Sequence, residues 1–270
     1  MRWISTVGIR GIDVSKWQGD IDFKKVKEAD MDFVIIREGY GKKDPKQTDK
    51  KFKENYQKAK EVGLNVGAYH YSYADSIEDA KLEAEFCLGN IQGMQFEYPI
   101  VFDIEDKEQL KLNNRQRTDI VKAFCEEIEK AKYYAMFYCN LNWINNYLIK
   151  DELLPKYDLW LAQWYVSGPA INCGIWQYSS EGKIDGISGN VDLDISQKDY
   201  PQIMKYNGLN GFKKDTSITY TNYTVQQGDS LWSIAQKKLG NGTKWEQIKR
   251  INNLNTTLIY PGQILKIPRQ

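Results

Sequence analysis

From residue 8 to about residue 196 the chain repeats one pattern, a short apolar run followed by an amphipathic stretch. Gly8–Val14 reads as a strand, and Asp22–Ala29 as a helix with Phe23 and Val26 on one face. Strand Phe33–Glu38, helix Lys50–Val62, strand Val66–Ser72 and helix Ser76–Gly89 follow, the last opened by Ser76 with an acid three residues on. Tyr98–Glu105 is the strongest strand and Arg115–Lys132 the clearest helix; further strands are expected at Ala135–Cys139, Leu159–Trp164, Gly174–Tyr178 and Gly189–Ile195. Repeated βα units need crossovers, which place helices outside parallel strands. Eight strands can close into a barrel whose functional residues sit at the strands' C-terminal ends. The late connections are short, so the expected α/β fold is a modified TIM-like barrel, five βα units followed by helix-poor strands. A doubly wound open sheet is the alternative, weakened because no glycine-rich phosphate loop follows the first strand.

The expected organisation is a barrel over 1–205, a linker over 206–221 and a small domain over 222–270. The tail reads as strand Tyr223–Val225, helices Ser230–Leu239 and Lys244–Asn252, and strand Gln263–Ile267. Charge divides between the parts: residues 1–211 carry 28 Lys/Arg against 33 Asp/Glu, residues 212–270 carry 9 against 3. The basic residues of the tail are dispersed, with no arginine-rich block, so an anionic envelope polymer is a better partner than nucleic acid. No run approaches the roughly 20 apolar residues of a membrane span, so membrane insertion is not expected. A monomer is the default.

Four cysteines at 87, 125, 139 and 173 form no CxxC pair, and the chain has a single histidine. Zinc hydrolysis and histidine-assisted nucleophilic catalysis therefore have little to work with. Neither metal nor cofactor is expected. Carboxylates remain. Cleaving a glycosidic bond needs an acid for the leaving oxygen and a negative group, or substrate assistance, for the cationic sugar centre. Asp13 in "GIDVS", Asp103 and Glu105 in "PIVFDIE" and Asp192 in "NVDLDI" all lie at apolar strand ends. Asp103 and Glu105, two apart, would share a strand face, and close like charges raise each other's proton affinity. Solvent-facing strand-end acids are the bland alternative. Asp13 and Asp192 come from the first and last strands, which are neighbours in a closed barrel, so three strands would deliver acids to one mouth. Asp194 has the parity of Asp192 but lies deeper, as a hydrogen-bonding support. The 18 Tyr and 8 Trp suit sugar stacking as well as core packing.

"GIDVSKWQG" at 11–19, "FVIIREGYG" at 33–41, "GAYHYSYA" at 67–74, "PIVFDIED" at 99–106 and "VDLD" at 191–194 together resemble glycoside hydrolase family 25, the Chalaropsis-type muramidases. The resemblance runs over roughly 8–196 and implies retaining hydrolysis of the β-1,4 bond from N-acetylmuramic acid to N-acetylglucosamine. It implies Glu105 as general acid, Asp103 as the carboxylate that orients or stabilises the substrate's 2-acetamido group, and Asp13 and Asp192 as the acids of the first and last strands. Carboxylate attack and acetamido assistance stay open, the second favoured. The resemblance points Tyr69 and Tyr71 into the mouth; Tyr138, Trp164 and Tyr178, near later strand ends, are candidates for sugar contact, with core packing as the alternative for each. Arg37 is expected to orient a carboxylate through a charged fork, and His70, of opposite parity to the tyrosines, to be structural. The family often has Asn where this chain has Asp194.

"YTVQQGDSLWSIAQKKLG" at 223–240, "WEQIKRINNL" at 245–254 and "IYPGQILKIP" at 259–268 resemble a LysM domain, implying a β-α-α-β fold that binds N-acetylglucosamine-containing glycans. By resemblance, Gly228, Asp229, Ser230 and Leu231 line one side of its groove, and Asn255, Leu258 and Ile259 the other; Trp232 and Ile234 are expected in the core. Bacterial peptidoglycan is then the expected partner. Chitin or another N-acetylglucosamine polymer is an enzymatic alternative, and a non-catalytic wall-binding protein a second. No secretory signal is visible at the N-terminus. An enzyme acting at the wall would then reach it as a phage endolysin released at lysis, or as an extracellular enzyme whose signal is not in this sequence.

Overall fold

The computed structural model describes residues 8–42, 44–214, 220–252, 254 and 256–269. It divides into two units, Met1–Lys214 and Asp215–Gln270. In the first, β1 (Ile9–Val14), α1 (Phe23–Glu28), β2 (Phe33–Tyr40), α2 (Phe52–Glu61), β3 (Asn65–Tyr71), α3 (Ile77–Ile91), β4 (Ile100–Asp103), α4 (Asn114–Lys130) and β5 (Ala135–Asn140) alternate strictly. Two short helices, α5 (Leu141–Asn146) and α6 (Lys150–Leu153), lead to β6 (Asp158–Ala162), after which β7 (Ile175–Gly182) and β8 (Val191–Ser196) follow without an intervening α-helix, and α7 (Tyr200–Asn207) ends the unit. The eight strands form a closed barrel in sequence order. The expected α/β barrel with a helix-poor last third is the observed one.

Local chemistry explains the elements. Ser76 caps α3 by accepting from the Asp79 N–H, and Asn113 caps α4 by accepting from the Gln116 N–H, each satisfying an otherwise orphaned donor. Val34, Ile36, Ala68, Phe102, Phe137, Leu159 and Leu161 point outward into the layer beneath the helices, where Phe52, Ala84, Cys87 and Phe124 meet them. The alternate residues Phe33, Ile35, Val101, Met136, Trp160 and Ile175 point inward and fill the barrel with Tyr98 and with Tyr200, Ile203 and Met204 of α7. Phe33 and Tyr98 stack at 4.2 Å between centroids.

Two strand features differ from expectation. β4 stops at Asp103, so Glu105 lies just past the ladder; the Ile104 N–H still bonds across, to the Tyr138 carbonyl at 3.1 Å. The other concerns direction. β1 to β7 run parallel, but β8 is antiparallel to both β7 and β1, with Asp13 directly opposite Asp192. A short connection from β7 permits only a reversal, since a parallel return needs a long crossover. Asp192 therefore starts its strand, and that start lies at the same rim as the ends of the others.

The second unit pairs β9 (Tyr220–Thr224) with β10 (Ile264–Pro268) antiparallel and carries α8 (Leu231–Leu239) and α9 (Trp245–Ile251). Its own core comprises Val225, Leu231, Ile234, Ala235, Leu239, Ile248, Leu265 and Ile267. Ser230 caps α8, and Gly240 ends it at φ +70°, a left-handed conformation that suits glycine.

Candidate active site

The inward register that fills the barrel with apolar side chains becomes polar at its upper rim. After Phe33 and Ile35 comes Arg37; after Val101 comes Asp103; after Met136, Tyr138; after Ile175, Gln177. With Asp13, Tyr69, Tyr71, Glu105, Trp160, Trp164, Ser180 and Asp192 they line one cavity of about 300 Å³. The structure thus brings together Asp13, Asp103, Glu105 and Asp192, and with them Arg37, Tyr69, Tyr71, Tyr138 and Trp164. His70 faces the other way: it is fully buried behind β3, its Nδ1 on the Glu38 carboxyl and its Nε2 3.8 Å from Glu83.

Polar contacts fix the rim. Gln177 is their hub: its Nε2 donates to Asp13 Oδ2 at 2.8 Å, while its Oε1 accepts from the Tyr138 hydroxyl at 3.1 Å and the Trp164 indole N–H at 3.2 Å. The Tyr71 hydroxyl donates to Asp106 at 3.3 Å. One oxygen of buried Asp103, Oδ1, meets no hydrogen-bond partner among the described residues.

The acids crowd a site with little counter-charge. Burial, then the neighbouring Glu105, lifts the Asp103 carboxyl well above the usual range, with Arg37 partly opposing. Burial and the charges of Asp192 and Asp194 do the same to Asp13. Burial, then Asp192 and Asp106, raises Glu105, and burial pushes Asp192 up to about 6. Such a cluster binds protons more tightly than separate, solvated carboxyls do, which is the property an acid catalyst needs.

A family model for glycosyl hydrolases family 25 matches residues 12–187, and one for the LysM domain matches residues 223–268. The chain belongs to glycosyl hydrolases family 25. It is 30% identical over 202 residues to Lysozyme M1 of Streptomyces globisporus, covering 69% of this chain and 67% of that protein. It is 33% identical over 193 residues to the autolytic lysozyme of Clostridium acetobutylicum, covering 69% of this chain but only 55% of that protein. A bacterial lysozyme from Streptomyces coelicolor superposes with a TM-score of 0.64 at 30% identity, over 72% of this chain and 94% of the other. As a family 25 member the protein is a glycoside hydrolase.

Within this family 25 barrel several residues depart from the sequence reading. Tyr178 is not in the cavity: it alternates with inward Gln177, faces outward and packs at 5.7 Å from Trp176. Arg37 lines the cavity, but both its Nε and Nη2 converge on Asp49 Oδ2, at 2.9 and 2.7 Å, rather than on a candidate acid. Asp49 also accepts from the Lys16 and Lys51 backbone N–H groups, so the ion pair ties β2 to two rim loops. Gln177, Trp160, Ser180 and Asp49 were not singled out in sequence. Inward parity marks Gln177 and Trp160 once the barrel register is known, whereas nothing local marks Asp49.

In the LysM unit, Gly228 turns at φ +87°, and Asp229 accepts from the Tyr223 hydroxyl at 2.7 Å and the Gln226 N–H at 2.8 Å. Ser230 is exposed and spends its hydroxyl on the α8 cap. Leu231 is core rather than groove, because capping by Ser230 turns it inward; it is 2% exposed. Leu258 is exposed, Ile259 half-buried against the core, and Asn255 lies outside the described residues. Ile234 is buried as expected, but Trp232 is 56% exposed and lies across Gly242, where a β-carbon would meet its ring at 2.2 Å.

Proposed function

We propose that this protein is a lysozyme, an N-acetylmuramidase that hydrolyses the β-1,4 bond between N-acetylmuramic acid and N-acetylglucosamine in bacterial peptidoglycan. The observation that carries the reading is the convergence of Asp13, Asp103, Glu105 and Asp192 on one cavity of a family 25 barrel. The lysozyme relatives and the LysM match support it. The barrel unit, which runs to Lys214 because α7 and Asn210 pack onto it, and the LysM unit, whose first strand starts at Tyr220, act as a cleaving head tethered to a monomeric chain's own wall anchor. The connection between them is shorter than the linker expected over 206–221. A tether of this kind keeps a weak binder's cleft near its polymer at high local concentration.

Glu105, whose proton is favoured by burial and by Asp192, protonates the leaving glycosidic oxygen. Asp103 offers its unpartnered Oδ1 to the substrate's 2-acetamido N–H, which aligns the acetamido oxygen to attack the anomeric carbon as the bond breaks. Water then enters from the same side, deprotonated by the Glu105 carboxylate, and configuration is retained. Asp13 and Asp192 stabilise the cationic sugar centre. Tyr69, Tyr71, Tyr138 and Trp164 supply ring faces and hydroxyls to the sugars, and Gly228, Asp229, Ser230 and Leu258 offer the tail's glycan contacts. The enzyme acts at the bacterial cell wall, without metal or cofactor.

Mass analysis of digests of purified peptidoglycan, with chitin in parallel, tests this. New reducing muramic acid ends of retained configuration are expected. Cleavage of chitin alone, or reducing N-acetylglucosamine ends, would refute the bond assignment.

A further inference from the structure

Asp194 has no part in the scheme above, yet it is the most deeply buried acid beside the cavity, with no exposed surface. One oxygen, Oδ1, accepts from the Trp160 indole N–H at 2.8 Å. The other, Oδ2, receives no donor from any described residue. Its carboxyl lies within hydrogen-bonding reach of Asp13. Asp13 shows the complementary pattern: its Oδ2 is held by Gln177, and no donor to its Oδ1 is seen among the described residues. Two buried carboxyl groups, each with one oxygen satisfied, thus face one another across the β1–β8 pairing.

Among the described residues the surroundings supply no cation to compensate two charges. From β8 comes Asp192, from β4 Asp103, from β3 Tyr69, from β6 Trp160 and from β7 Gln177. Arg37, the cation among the described cavity residues, is forked onto Asp49. Arg10 is directed at Tyr178 on the outer face of the barrel. Two like charges in contact at low dielectric cannot both persist, whereas one proton between them satisfies both free oxygens and leaves a single negative charge.

We propose that Asp194 is a positioning residue for Asp13, the two carboxyls sharing one proton at neutral pH. Burial and mutual repulsion raise the proton affinity of both, in keeping with this arrangement. The shared proton holds Asp13 at a fixed angle beside Gln177 and limits the charge of the cavity floor. The proposal rests on the lysozyme reading only for its effect on catalysis; the proton itself is observable without substrate.

Infrared difference spectra of the full-length protein at pH 7 test it, comparing wild type with Asp194→Asn and Asp13→Asn. Asn at either position can donate an N–H to the remaining carboxylate, which then needs no proton. Each single variant is expected to lose the carbonyl stretch of a protonated carboxylic acid that the wild type shows. The band lost must be the same in both variants and distinct from any carboxyl stretch that Glu105→Gln removes; its survival in either variant, or its absence from the wild type, would overturn the sharing. Glu105→Gln must keep the band whatever happens to lysis, so failure of the lysozyme reading is seen separately, as absence of new muramic acid ends. Asp194→Leu lacks both the acceptor for Trp160 and the partner for Asp13. It should lose activity at least about tenfold more than Asp194→Asn, with thermal unfolding confirming that both fold. Equal loss in the two folded variants would also overturn the positioning role.

Discussion

As the proposed general acid, Glu105 must hold a proton at the working pH, and burial with Asp192 and Asp106 nearby raises its proton affinity. Glu105→Gln is expected to lower peptidoglycan cleavage on the order of 10²–10⁴-fold while leaving sedimentation with intact walls unchanged; a smaller loss would move the acid elsewhere. The negative charge of Asp192 helps Glu105 keep its proton. Asp192→Asn should therefore shift the alkaline limb of the pH–rate profile to lower pH, which a rate series on soluble glycan fragments would read. The same substitution affects stability. Asp192 holds its proton more tightly folded, at about 6 against 3.8 for the ordinary group. Its contribution is therefore fully present below the lower value and lost as pH rises through the upper one. The melting temperature of the wild type should fall across that window more steeply than that of Asp192→Asn. Gln177 owes its importance to three partners rather than to its own chemistry, which is why a lone glutamine in "GIWQYSS" gave no sign of it.

At the scale of elements, β1 and β8 decide the geometry. Gly11 sits opposite Asp194, and a β-carbon there would meet the Phe33 ring at 2.4 Å. Gly11→Ala should destabilise by about 1–3 kcal/mol through overpacking, and displace the strand that carries Asp13; chemical denaturation and activity assays together check it. The strand period separated inward Tyr69 and Tyr71 from outward His70 correctly along β3, because a closed barrel with helices outside makes both faces apolar but keeps the alternation. Tyr178 lies outside the cavity because it has the parity of outward Trp176, whereas nearness to a strand end says nothing about face. The period was incomplete for Asp192, since the alternation is the same whichever way a strand runs. Reversal of β8 follows from the short return after β7, and only the closed barrel shows that it puts the start of that strand at the working rim.

The whole molecule consists of two units with separate hydrophobic cores, a barrel of net negative charge and a basic LysM unit. Removing residues 215–270 should leave cleavage of soluble glycan fragments within about threefold, while binding to intact walls falls by 10²-fold or more on the order expected from lost tethering; pull-down and fragment assays distinguish the two. A barrel that could not cleave fragments alone would contradict the division of labour. The sequence by itself determined the succession of βα units, the two-part architecture and the acids worth watching, because these depend on local periodicity and on motifs contiguous in the chain. Tertiary structure alone decided that Asp13 faces Asp192 and meets Asp194, that Arg37 serves Asp49, and that Gln177 joins three strands. Proton affinity and hydrogen bonding depend on which charges and donors lie within a few ångströms, and those neighbours lie far apart along the chain, 164 residues for Gln177 and Asp13 and further still for Asp13 and Asp194.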